Sequence, residues 1–443
     1  MSAAASTLDV RGRLLVRLAE ARAQTDELFR LVHPDALFER PIPERHRIIF
    51  YIGHLEAFDW NLVGRHALGL GSLHKELDHL FAFGIDPVDG RLPVDQPSDW
   101  PSEGEVRKYS LQVRGQVDDA LHRASFEDPN IPLLHEGYLL HVAIEHRLMH
   151  AETLTYMLHQ LSLDQKLIPP IRRNVERFAT RGGTVEIPEG MATLGMWPAD
   201  HQPFGWDNEF QPHTVHVPRF LIDVHNVTNA EFLEFIRCGA YDDHVFWDPA
   251  DWKWKMSGGI QHPIFWKKTR NGWNYRTMFA EVPLPPQWPV YVSHAEASAY
   301  ARWKGRSLPT EAQWHRAAVG APKGQERLYP WGSDLPISEH GNFNFLNWDP
   351  APVGAYRKGD SAFGVADLLG NGWEWTATLF EPYPGFERFS FYPGYSAEFF
   401  DGKHFVLKGA SARTAKFMVR RSFRNWFQPH YPYIYAGFRC VEN

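Results

Sequence analysis

The chain changes character near residue 180. From about residue 8 to 163, apolar residues recur at the three- and four-residue spacing of helices, as in Leu14, Leu15, Leu18, Ala21, Leu28 and Phe29. Beyond residue 180 that period is lost, and most of the tryptophan, phenylalanine and tyrosine lies there, interleaved with proline and glycine. Proline and glycine are depleted in helices and long strands, so this half must be built from short strands and turns held by large aromatic side chains. A length of 443 residues also exceeds what one core usually serves, about 250–300 residues. The expectation is an α+β chain of two unlike domains, a helical one over residues 1–165 and a loop-rich one over 185–443, joined by a polar linker at 166–184.

Within the helical part, Pro41-Ile42-Pro43-Glu44-Arg45 supplies an entry signal for a helical segment over 45–68. Further helices are predicted over 105–124 and 133–161. Residues 83–101 hold four prolines and are too long for a tight bundle turn; long loops of this kind are commonly functional. Four helices with one long connection describe a four-helix bundle, an architecture that builds metal sites from side chains on facing helices.

The fourth predicted helix carries Glu145-His146-Arg147-Leu148-Met149-His150-Ala151-Glu152. At about 100° per residue, His146 and His150 lie within about 40° of each other on one face. Two neutral imidazoles so placed can reach one metal ion. Glu152 is roughly 240° round from His146 and poorly placed to join them. The same spacing also occurs in packed cores, and 23 histidines make chance pairs common. On the second helix His54 shares a face with Phe50, Tyr51 and Phe58, which points it at apolar surface as a carbonyl-bonded histidine or as a third ligand. Taken together, His54, His146 and His150 make a three-histidine site with one side open for O2 and substrate.

The formal net charge of −7 gives no general attraction to nucleic acid or anionic membrane. No apolar run approaches the ~18–20 residues of a membrane span, and Met1-Ser2-Ala3-Ala4-Ala5 opens no signal-peptide core. Two cysteines, Cys238 and Cys440, cannot staple a secreted scaffold, so a reduced cytoplasmic protein is expected.

Several motifs beyond residue 290 go together: Ser307-Leu308-Pro309-Thr310-Glu311-Ala312-Gln313-Trp314, Gly370-Asn371-Gly372-Trp373-Glu374-Trp375 and Gly437-Phe438-Arg439-Cys440. This set resembles the formylglycine-generating-enzyme/sulfatase-modifying-factor fold, a relative of C-type lectins. Trp314, Trp373 and Trp375 are expected to fill its core, and Glu311 and Glu374 to act as structural hydrogen-bonders. Residues 410–436 hold no cysteine, so the copper-binding cysteine pair of formylglycine formation is missing. With Phe204-Gly205-Trp206-Asp207-Asn208-Glu209, Phe423-Arg424-Asn425-Trp426-Phe427 and the upstream histidines, the whole chain resembles the ergothioneine sulfoxide synthases. Those proteins join a DinB-like four-helix bundle to the sulfatase-modifying-factor fold.

The resemblance implies mononuclear non-haem Fe(II) on His54, His146 and His150, with O2 and hercynine (trimethylated histidine) as small-molecule substrates. It implies joining of a chalcogen to C2 of the hercynine imidazole. It assigns Tyr392, in Tyr392-Pro393-Gly394-Tyr395 after Gly385-Phe386, as proton or hydrogen-atom donor, and Tyr395 to substrate contact. Trp426 and Tyr395 are candidates to hold the quaternary ammonium by cation–π attraction, with Asn425 near the carboxylate or imidazole. Members that use γ-glutamyl-cysteine carry aspartate after the Asn-Trp pair and an arginine cluster in the long loop. Here those places hold Phe427 and a loop with one arginine, Arg91. A donor neutral overall fits better, which resembles the selenoneine synthase branch and its selenosugar. Asn342-Phe343-Asn344-Phe345 with Trp348 could then bind the sugar. The alternative donor is cysteine, whose carboxylate would need Arg91, Arg421 or Arg424. A rival of another class is a ligand-binding module that consumes nothing.

Overall fold

The computed structural model describes residues 10–82, 92–126, 128, 132–169, 182–197, 204–322 and 325–443. Arg91 and most of its loop, and the centre of the expected linker, lie outside the described residues. Two compact units divide the chain, Met1–Ile171 and Arg172–Asn443.

The first unit is helical. Helix α1 (Val10–Arg30) buries Leu14, Leu18, Ala21, Thr25 and Leu28 on one stripe and packs on α5 (Tyr138–Gln160). Between them in sequence come α2 (Ile48–Asp59), the short α3 (Lys75–Leu80) and α4 (Glu103–Arg123). Every residue of α2 except Phe58 is buried, as expected of a helix apolar nearly all round and packed against both α4 and α5. It runs on as a π-helical stretch, Trp60–Ala67, so the expected single segment over 45–68 changes pitch partway. Helix α4 starts two residues earlier than expected because Ser102 and Glu105 close a capping box, which satisfies two otherwise orphaned donors. Helix α5 starts later than expected. Pro132–Gly137 forms a tighter turn in which Glu136 and Gly137 take φ of 51° and 75°, and no α-helix passes through that conformation.

The second unit is loop-rich. Its first strands, β1 (Thr184–Ile187), β2 (Gly190–Leu194), β3 (His213–Val217) and β4 (Phe220–Asp223), precede helices α6 (Asn229–Arg237) and α7 (Pro249–Ser257). Strands β5 (Trp266–Thr269), β6 (Gly272–Arg276) and β7 (Glu281–Pro283) form a meander, followed by α8 (His294–Trp303) and α9 (Glu311–Val319). Strands β8 (Gly372–Leu379), β9 (Phe405–Ala410), β10 (Asn425–Phe427), β11 (Ala436–Gly437) and β12 (Val441–Glu442) complete it. The largest sheet has the order β10-β9-β8-β11.

The first five residues of β8 are all buried and carry the core tryptophans Trp373 and Trp375; Trp314 of α9 joins them. Glu374 accepts from the Trp314 indole at 2.9 Å and pairs with Arg439 at 2.6 Å, both members fully buried. The expected structural role of Glu374 is thereby met. The turn before β8 needs glycine at residue 370: its φ is 102°, and a Cβ there would sit 2.8 Å from the backbone nitrogen of Asn342.

Candidate functional site

Helices α2 and α5 bring His54, His146 and His150 together in the bundle interior. Each is about 95% removed from solvent, and one ring nitrogen of each lies within 4.8 Å of the other two. The Nε2 atoms of His146 and His150 are 3.1 Å apart. Two nitrogens bound to one metal at ~2.1 Å and at right angles would be roughly 3.0 Å apart, so this spacing suits adjacent ligands. Ring packing fixes the orientations. Phe58 stacks on His146 at 3.4 Å between centroids, and Phe50 stacks on His54 at 4.8 Å.

His54 decides the fit to a metal. Its Nδ1 donates to the Phe81 carbonyl at 2.8 Å, which fixes the tautomer and leaves the Nε2 lone pair available. That Nε2 is buried and no group among the described residues hydrogen-bonds to it. Burial pulls the His54 pKa down to about 4, against the opposing effect of the bond to Phe81. Burial also holds His146 and His150 well below the ordinary range, assisted by mutual repulsion and by Arg147. All three imidazoles are thus kept in the neutral form a metal requires. Glu152 is no part of this cluster, in keeping with its position on the helix.

Apart from Arg91, which lies outside the described residues, the remaining expected site residues belong to the second unit. Tyr392 is half-buried with its ring 5.7 Å from that of Tyr395. Tyr395 stacks on Trp206 at 3.9 Å and meets Trp426 edge-on at 5.4 Å; Trp426 in turn stacks on Phe380 at 4.2 Å. The sequence reading missed Trp206 and Asp207 as supports of the tyrosine segment. Asp207 accepts from Ser396 at 2.6 Å, just past Tyr395. The Oδ1 of Asn425 accepts from the backbone N–H of Trp426, which leaves its amide nitrogen for other partners. Phe427 stacks in parallel on Tyr431 at 5.2 Å.

Two expectations about charge and sugar binding change. Arg424 is 2% exposed, bonds Glu311 at 3.1 Å and lies over the Tyr383 ring at 4.1 Å. Desolvation would raise the Glu311 pKa, yet the Arg424 and Lys408 charges outweigh it and hold the carboxylate low. Arg424 is therefore committed to the core rather than presented to a substrate carboxylate. Asn342 and Phe343 are likewise core residues: the Asn342 amide bonds the Asp349 carbonyl and Asn371, and Arg413 covers the Trp348 ring at 3.9 Å. Phe343 is buried, whereas Phe345 and Trp348 stay half-buried with the Arg413 guanidinium over both rings.

Comparison with known proteins agrees with this layout. Residues 172–443 match the model of the sulfatase-modifying factor enzyme 1-like domain, and residues 17–154 match that of the DinB superfamily. The chain is 36% identical to hercynine oxygenase of Mycolicibacterium smegmatis over 84% of each chain. It is also 36% identical to hercynine oxygenase of Mycobacterium tuberculosis, over 77% of this chain and 78% of that one. Ergothioneine biosynthesis protein 1 of Neurospora crassa is 28% identical over 92% of this chain, and the match spans 55% of that protein.

Proposed function

Since the chain belongs to the hercynine oxygenase family, we propose that it is an iron-dependent oxygenase that joins selenium from a selenosugar to C2 of the hercynine imidazole, the alternative being sulfur from cysteine. The observation that carries this reading is the buried triad of His54, His146 and His150, neutral and converging on one point. Fe(II) held there would supply the one-electron chemistry through which dioxygen reacts.

The protein's own groups have separable tasks in this reading. Phe81 orients His54 through its carbonyl, and Phe50 and Phe58 keep water from the imidazoles. Tyr392 gives up the phenolic hydrogen that directs the reaction to a carbon–chalcogen bond rather than to oxidised donor. The faces of Tyr395 and Trp426 hold the trimethylammonium group. A donor without a carboxylate is favoured over cysteine because Arg420, Arg421 and Arg424 already pair with Glu209, Glu326 and Glu311. Phe427 and Tyr431 offer stacked aromatic surface to a sugar ring. A cytoplasmic location belongs to the same reading; no helix among the described residues is long and apolar enough to cross a membrane.

The test is anaerobic reconstitution with Fe(II), then O2 uptake with hercynine and a panel of thiols and selenols. His150→Ala should lower turnover by more than about 100-fold, beyond the effect of losing an outer-shell partner. Full turnover in His150→Ala would remove the triad from the chemistry.

A further inference from the structure

Between His146 and His150 on α5 lies a charge that the reaction does not use. Arg147 is 1% exposed and reaches across to α2, the helix that carries His54. Its Nη2 donates to Asp59 at 2.7 Å and to the Leu55 carbonyl at 3.0 Å, and its Nη1 donates to Glu56 at 3.2 Å. Glu56 also takes two bonds from Arg114, and Arg114 holds Asp26 of α1 through two bonds of 2.8 and 2.9 Å. Arg22, which lies 4.0 Å from Glu56 and bonds Asp118 at 2.5 Å, completes a set of three arginines against four carboxylates.

We infer that Arg147 is a positioning residue for the metal centre: its bonds to Leu55, Glu56 and Asp59 fix the register of α2 against α5 and so hold His54 opposite His146 and His150. The inference rests on the reading that the triad holds a metal.

The physical case has two parts. Every α2 partner of Arg147 lies within five residues of His54, and Arg147 is adjacent in sequence to one ligand and three residues from the other. Sliding α2 by one residue would move His54 by about 1.5 Å along the axis and break these bonds together. Metal–ligand distances tolerate only about 0.2 Å, so a register error of that size empties the site. Apolar packing alone does not exclude the error, because α2 is buried almost all round and one apolar face resembles another. Buried ion pairs also add little net stability over apolar residues of similar size, and their best-attested use is to specify register.

Full-length protein, freed of metal and titrated anaerobically with cobalt(II), gives a readout independent of turnover. Affinity and band intensity come from the ligand-field absorption, and the fold from far-UV circular dichroism. Arg147→Lys keeps the charge but not the fork of bonds. The pair Arg147→Met with Asp59→Leu removes the link without stranding a charge and leaves Glu56 to Arg114. Both should keep native helical content while binding cobalt about 10- to 100-fold more weakly. Native-like folding with cobalt affinity within twofold of the unmodified protein, in either variant, would overturn the inference. Failure of the unmodified protein to bind cobalt would instead remove the metal reading, and this inference with it.

Discussion

The Nδ1 of His54 donates a 2.8 Å hydrogen bond to the main-chain carbonyl of Phe81, at the start of the long loop between α3 and α4. The His54 imidazole is therefore oriented by a backbone atom, and the position of Phe81 matters more than its identity.

That relationship makes Gly53 sensitive. A Cβ at residue 53 would come within 2.5–2.6 Å of the Phe81 ring, which is fully buried among Phe50, Trp100 and Tyr109 and has nowhere to move cheaply. Gly→Ala within a helix usually stabilises by up to ~1 kcal/mol. Here Gly53→Ala is expected to displace Phe81, lower the melting temperature and weaken metal binding by at least about tenfold, the lower end for lost outer-shell support. Calorimetry and metal titration of the variant check it; unchanged metal affinity would separate Phe81 from ligand orientation.

Acidification should destabilise the metal-free protein within a defined window. In the unfolded chain the imidazoles protonate as pH falls through about 6.5, whereas folded His54 stays neutral down to about 4. The unfolded state binds more protons between those values, so stability is full above about pH 6.5 and declines as pH falls towards 4. His54 alone contributes roughly 3 kcal/mol across the window, at about 1.4 kcal/mol per pH unit. Urea unfolding of metal-free protein at pH 7 and pH 5, followed by the helical signal, should show the loss. The dependence on pH should shrink by about one proton in His54→Gln, and an unchanged slope in that variant would count against the buried neutral His54.

Tyr392→Phe removes one hydroxyl and should leave metal and hercynine affinity within about twofold. Product should shift from the carbon–chalcogen adduct towards oxidised donor, read by mass spectrometry. The same product ratio and rate in the variant would exclude Tyr392 as hydrogen donor and move attention to Tyr395.

Much of the bundle was legible because each helix has to bury a stripe, and the 3.6-residue period betrays it in α1 and α4. His146 and His150 were legible for the same reason, since four residues is one turn. Partnership with His54, 92 residues upstream, depends on how α2 packs on α5, which no local pattern encodes; His54 was reached as an economical third ligand on an apolar face, and the family resemblance then implied the same three residues. The Phe81 carbonyl left no trace, because every residue has one. Arg147, Glu56 and Asp59 had a faint signal as charges on otherwise apolar helices, but charges of this kind usually face solvent. Arg424 misled in the opposite sense. It stood as a candidate partner for a cysteine carboxylate, and only the approach of Glu311 from α9 shows that it is internal.

Phe427→Ala tests the donor separately from the metal. Loss of the stack on Tyr431 should raise KM for a selenosugar about 2- to 10-fold, the range for one aromatic contact, and leave KM for hercynine unchanged. Equal KM values for the selenosugar before and after the change would place the donor elsewhere.

The most direct measurement is a competition. Full-length protein is reconstituted with Fe(II) without oxygen, then given hercynine, O2 and equal concentrations of a 1-selenosugar, cysteine and γ-glutamyl-cysteine, with products identified by mass spectrometry. The expected result is O2-dependent consumption of hercynine and an adduct carrying selenium at the imidazole C2. Recovery of intact hercynine with every donor consumed only by oxidation, or not at all, would contradict carbon–chalcogen bond formation by this protein.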